Sequence, residues 1–224
     1  KRDVHIGKLH ITVAARECFA RGLDTIHSSG MSVSHLGNVG GGLSFFLTIA
    51  FMGGLGMYLI GNGMLVTRDP AQPYVVSGGV VTQGESVLAV GEDAALRRQY
   101  PQAKFVDARG GVIMPGFINA HSHIYSALAR GLSVTGHDPE DFLTVLQGMW
   151  WKLDRKLTRE GSRLSAYATY VDCIKQGVTT LFDHHASYGE IRGSLQEIAQ
   201  VARELGVRTS LCYEVSDRDG PDKC

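Results

Sequence analysis

The sequence predicts an α/β fold in two parts: a small β-rich unit over residues 57–115, then strands alternating with helices from residue 116 onward. Three observations carry this. Short β-branched runs bounded by Gly, Asp and Pro fill the first part. Apolar stripes at helical spacing, separated by continuous apolar runs, fill the second, and that alternation indicates a parallel sheet or barrel. Glycine punctuates both, with 28 residues in 224, where ordinary usage of about 7% would give roughly 16.

In order, Tyr58–Thr67, Tyr74–Thr82 and Ser86–Val90 read as antiparallel strands joined by turns. Ala94–Tyr100 reads as a short helix and Lys104–Asp107 as a further strand. After Pro115, Phe117–His123 is a strand. Asp138 is placed to cap a helix with Pro139 at its first position and Phe142, Val145, Leu146, Met149 and Leu153 on one face. A second helix, about residues 158–176, carries Leu164, Ala168, Val171 and Ile174 and stops at Gly177. Val178–Asp183 is a continuous apolar strand. Glu190–Leu205 is a helix with Leu195, Ile198, Ala202 and Leu205, ending at Gly206, and Val207–Tyr213 is a strand again.

Charge is balanced, with 22 Lys plus Arg against 22 Asp plus Glu. That argues against nucleic acid or an anionic membrane as the main partner, since both demand a basic surface. The chain is 44% hydrophobic and 20% charged, enough to bury a core. Cys18, Cys173, Cys212 and Cys224 show no paired spacing, which disfavours a disulfide framework or zinc ribbon and fits a reducing cytoplasm.

Residues 1–56 stand apart: they hold 10 glycines and no sustained helical or strand period. The first reading is a leader of doubtful relevance, dispensable and not native to the rest; a genuine extension and a membrane anchor are the alternatives. The anchor rests on Leu43–Ile60, 18 mostly apolar residues at the lower limit for a membrane span. Its glycines and the lack of a flanking basic cluster weigh against it.

The informative stretch is Met114-Pro-Gly-Phe-Ile-Asn-Ala-His-Ser-His-Ile124. On a strand, residues two apart share a side, so His121 and His123 project together with Asn119 and Phe117. Two imidazoles at a strand end can chelate a divalent metal. Taken with Asp107-Ala-Arg-Gly-Gly-Val-Ile-Met-Pro-Gly before it and Gly177-Val-Thr-Thr-Leu-Phe-Asp183 after it, the stretch resembles the amidohydrolase superfamily, in its aminohydrolase and chlorohydrolase branch. The resemblance covers roughly residues 57–220.

The resemblance implies a partial metal-dependent (β/α)8 TIM barrel, about its first three strands, preceded by part of a β-sandwich domain. Residues 116–224 number 109, and a barrel of about 250 residues gives roughly 31 per unit, so about 3.5 units are expected. The chain is therefore read as an amino-terminal piece of a longer protein. His121 and His123 are expected as metal ligands; further ligands and the proton-transfer groups are expected outside the chain. The cofactor implied is a divalent metal ion, zinc first, with iron or manganese as alternatives. The function implied is hydrolysis of C–N bonds other than peptide bonds by a metal-activated water, with a small nitrogen-containing molecule as substrate and a homodimer as the assembled form. Dechlorination, cyclic-amide hydrolysis and a non-catalytic scaffold are the competing readings.

Around this pair, His184 and His185 follow a strand and either line a substrate pocket or are satisfied by loop backbone. Asp183 either orients a histidine or ends its strand. His137 reads as a loop residue, and Trp150 and Trp151 as core and interface residues.

Overall fold

The computed structural model describes residues 56–84, 86–136 and 138–223 together with the strands His10–Arg16 (β1), Met31–Val33 (β2) and Ser44–Phe51 (β3). His137 and most of the first 55 residues lie outside the described residues. The fold is mixed α/β, and the chain divides into two compact units.

In the first unit, alternation along Met57–Asp69 (β4) decides the packing. Tyr58 and Ile60 turn into a cluster with Leu65, Val75, Val80, Ala108 and Ile113. Leu59, on the opposite face, meets Val81 and Leu96. A strand buried on both faces must be apolar at consecutive positions, and Tyr58-Leu59-Ile60 is. Gln72–Gln83 (β5) and Ser86–Glu92 (β6) follow as antiparallel neighbours. Asp93–Gln99 (α1) supplies Leu96. Lys104–Asp107 (β7) and Val112–Pro115 (β8) both pair parallel to β4. The sheet order is β2-β3-β1-β8-β4-β5-β6, with β7 also on β4.

Two elements depart from the sequence reading. β8, unforeseen, is a four-residue strand, too short to show a period. β1, β2 and β3 lie in the stretch that showed no strand period, and β1 pairs antiparallel with β8 from Ile11↔Pro115 to Ala14↔Val112. Backbone pairing does not require alternating polarity, so periodicity alone cannot find such strands. No helix among the described residues is long and apolar enough to cross a membrane; Ser44–Phe51, inside the apolar run, is a strand.

The second unit centres on a sheet of Phe117–Ser122 (β9), Val178–His185 (β10) and Arg208–Tyr213 (β11), ordered β11-β10-β9. β10 and β11 are parallel, in register from Thr180↔Arg208 to His185↔Tyr213. A 3-10 segment, Ile124–Ala129, leaves β9. Phe142–Val145 (α2), a π-helical turn at Leu146–Trp150 and Trp151–Asp154 (α3) follow one another directly. The cap is Asp141, not Asp138. Asp141 Oδ1 accepts from Thr144 N at 2.8 Å and Asp141 N donates to Thr144 Oγ1 at 3.1 Å, a reciprocal capping box that sets the start of α2.

Arg159–Lys175 (α4) buries Ser162, Ser165, Ala166, Tyr170 and Cys173. Leu164 and Val171, expected inward, are exposed. Small residues let a helix approach its neighbours closely, and Tyr170 uses that approach to donate from its hydroxyl to Thr209 Oγ1 at 2.9 Å. Ser194–Leu205 (α5) buries Ile198, Val201 and Ala202 and ends at Gly206, φ 73°, the left-handed stop that glycine provides without strain. It starts four residues later than expected, because Gly193, at φ 91°, takes the left-handed conformation immediately before it; Glu190 Oε2 instead accepts from Arg159 N at 2.7 Å, at the start of α4.

Candidate active site

His121 closes β9 and His123 follows it, and their Nε2 atoms converge to 3.1 Å. His123 Nδ1 lies 3.0 Å from the main-chain oxygen of His184. A carbonyl can only accept, so Nδ1 carries the proton and the Nε2 lone pair faces His121. Two further bonds tie the ends of β9 and β10 together. Ser122 Oγ donates to Phe182 O at 2.9 Å, and Ile124 N donates to Asp183 Oδ1 at 2.7 Å. The imidazole pair is thus held by its neighbouring strand, not by its own loop.

That arrangement fits a divalent cation. Zinc–nitrogen bonds of about 2.0–2.1 Å at tetrahedral angles separate two donor nitrogens by roughly 3.4 Å, close to the spacing here. The carbonyl behind His123 is the kind of partner that fixes a ligating imidazole. No group of three or more His, Cys, Asp or Glu positioned to hold a metal occurs among the described residues.

Strand alternation sorts the remaining candidates. His184 is exposed, packs edge-on against His123 with ring centroids 5.6 Å apart, and lines a cavity of about 480 Å³ beside His121 and His123. Asp183 and His185, on the opposite face of β10, are buried and do not line it. Asn119 does not line it either; its Oδ1 accepts from His121 N at 3.3 Å. Tyr125, Ser126, Phe142, Leu146, Trp150 and Glu214 complete the lining. Phe142 and Leu146 were expected as core, and Glu214 was not singled out. Its signal was available: it directly follows a strand that alternates with helices, where barrel and doubly wound sheets place functional groups.

Burial sets the charge states on the far face. His185 is wholly enclosed, ringed by Tyr125 and Tyr213 at centroid distances of 6.0 and 5.7 Å. Burial, with the neighbouring His184 adding to it, pushes its pKa down to about 4. Burial lifts the Asp183 carboxyl to about 6, against the pull of the Ile124 hydrogen bond and of His123. These shifts oppose each other in stability. Between pH 6.5 and 4 the unfolded chain protonates His185 and the fold does not, so acid destabilises; between 3.8 and 6 the fold keeps the Asp183 proton, so rising pH destabilises.

Urea midpoints across pH 4–6 should therefore change little in the native chain. Asp183→Asn should lose stability as pH falls, by up to about 1.4 kcal/mol per unit, and His185→Phe should lose it as pH rises. Slopes of the same sign in both variants would refute these assignments.

A second buried polar group sits beside this face. Asp154, at the end of α3, is 1% exposed and receives Arg218 Nη2 on Oδ2 at 2.5 Å. The guanidinium lies 4.0 Å from the Tyr188 ring centroid and 4.9 Å from that of Trp151. Burial raises the Asp154 pKa and Arg218 draws it back down.

A model of the amidohydrolase family matches residues 112–224, half of the chain. The chain belongs to the amidohydrolase family. A bacterial imidazolonepropionase-like composite domain also matches residues 78–103. Among this amidohydrolase's relatives, the 5-methylthioadenosine/S-adenosylhomocysteine deaminase of Thermococcus onnurineus is 30% identical, over 74% of this chain and 35% of the relative. The 5'-deoxyadenosine deaminase of Methanococcoides burtonii is 28% identical, over 69% and 32%. The chain thus spans about a third of the length of the relatives it matches.

Solved structures agree on the fold. Guanine deaminase from Bradyrhizobium japonicum superposes with a TM-score of 0.62 at 19% identity, over 75% of this chain and 37% of that one. Atrazine chlorohydrolase from Arthrobacter aurescens, solved in complex with zinc, gives 0.58 at 24% identity, over 70% and 35%.

Proposed function

We propose that the whole protein is a metal-dependent hydrolase of C–N bonds other than peptide bonds, a deaminase of small nitrogen-containing molecules. The single observation that carries the reading is the convergence of His121 and His123 Nε2 to 3.1 Å, with the His123 tautomer set by the His184 carbonyl. On this reading β9, β10 and β11 begin a (β/α)8 barrel and β4–β8 belong to a β-sandwich domain. The deaminase relatives and the shared fold of guanine deaminase and the chlorohydrolase support it.

His121 and His123 would hold the cation, zinc first. Such a cation supplies Lewis-acid activation of water at neutral pH. The residues of this chain do the rest of what this region offers. Ser122, Ile124 and the His184 carbonyl hold the two imidazoles in place. Trp150, Phe142 and Tyr125 give the cavity aromatic walls for a planar substrate. A cytoplasmic setting and a homodimer are consistent with this role.

Ammonia release from aminopurines, aminopyrimidines, triazines and guanidino compounds, with and without chelator, is the test. Release from at least one class that stops on chelation and returns with zinc is the expected result. Activity that survives chelation would sink the metal-dependent reading, and silence across the panel by the zinc-loaded protein would favour a scaffold.

A further inference from the structure

Among the described residues, Glu214 is the one carboxylate on the cavity lined by His121, His123 and His184, and no Lys or Arg lines it. It is fixed from both sides. Its N donates to His185 O at 2.8 Å, which sets it at the end of β11. One carboxylate oxygen, Oε1, lies 3.4 Å from Arg218 Nε. Among the described residues the other, Oε2, meets no donor. Arg218 does not cancel this charge, because it already pairs with Asp154 at 2.5 Å. Arg218 is thus shared between two carboxylates, and Glu214 is the one of the two that lines the cavity. Trp150, Tyr125 and Phe142 line the same cavity.

We propose that Glu214 is a specificity-determining residue that selects a planar cation, an amidinium, guanidinium or protonated amino-heterocycle, over neutral and anionic isosteres. The proposal rests on the C–N hydrolase reading and names its substrate class. A carboxylate recognises such a group through charge-assisted N–H···O bonds, roughly twice as strong as neutral ones, while the flat apolar face stacks on aromatic rings. A carboxylate or phosphate placed against Glu214, away from the His121 and His123 pair, would meet like charge.

The test is calorimetric titration of the full chain, kept free of metal by chelator, with benzamidine, benzamide and benzoate, which share a ring and differ in charge. Benzamidine should bind at least about tenfold tighter than benzamide, with benzoate weakest. Glu214→Gln should remove that preference and leave benzamide affinity within about twofold, while Phe142→Ala should weaken benzamidine and benzamide together. Circular dichroism and urea midpoints establish that each variant folds; should Glu214→Gln not fold, Glu214→Asp takes its place with a reduced preference expected. Equal binding of the three probes, no binding of benzamidine, or a preference that survives Glu214→Gln would overturn the proposal. An amidinium preference lost in Glu214→Gln without any ammonia release would instead leave it standing and count against the hydrolase reading. Ammonia release without an amidinium preference would do the reverse.

Discussion

Replacing His121 or His123 by alanine is expected to abolish metal retention and to lower ammonia release by several orders of magnitude. Each supplies one of the two converging Nε2 atoms, and catalytic zinc sites use three protein ligands, so none is spare. The loss should exceed the roughly 10–100-fold that follows from removing a partner that merely orients a ligand. His184→Ala is the informative contrast, because the acceptor for His123 Nδ1 is the main-chain oxygen of residue 184. That variant should keep its metal and lose only what the exposed imidazole contributes. Metal content by atomic absorption, measured beside ammonia release, separates the two. Full zinc occupancy and activity in His121→Ala would rule out the assignment.

The largest effect on stability is expected at Arg218. Its side chain is 5% exposed, its partner Asp154 1%, and Asp154 Oδ1 has no hydrogen-bond partner. Arg218→Ala leaves a buried carboxylate uncompensated, a change that typically costs about 3–5 kcal/mol, whereas replacing both members by apolar residues of similar volume is often neutral or better. Arg218→Met combined with Asp154→Leu should therefore be clearly more stable than Arg218→Ala alone. Denaturant midpoints for the two proteins provide the check; equal midpoints would mean that the pair is not electrostatically coupled. Tyr188 and Trp151 lose their cation in both variants, so that contribution drops out of the difference.

The elements that fix the site were legible because their signals are local. Val178-Thr-Thr-Leu-Phe-Asp183 is rich in β-branched and aromatic residues, follows Gly177 and is the middle strand. The two-residue spacing of His121 and His123 on a strand puts their side chains on one side, where their Nε2 atoms meet. What could not be read depends on which side an element turns to its neighbour. Leu164 and Val171 make the more hydrophobic stripe of α4, yet Ser162, Ser165 and Ala166 are buried, because close approach to a neighbour rewards small side chains. Asp138-Pro139 looked like a helix start, but the reciprocal bonds of Asp141 and Thr144 set the boundary. His184 and His185 were indistinguishable as adjacent letters. The pleat sends one to the cavity and encloses the other.

The bond from His123 to the oxygen of residue 184 has a bearing on how this family could diversify. A main-chain acceptor is supplied by any amino acid, so the anchoring of the imidazole is insulated from mutation at that position. The side chain of residue 184, facing the cavity, can then vary without loss of the bond that orients the His123 imidazole. A carboxylate side chain in the same anchoring role would have bound the two properties to one codon. Here they rest on different atoms, one in the main chain and one in the side chain.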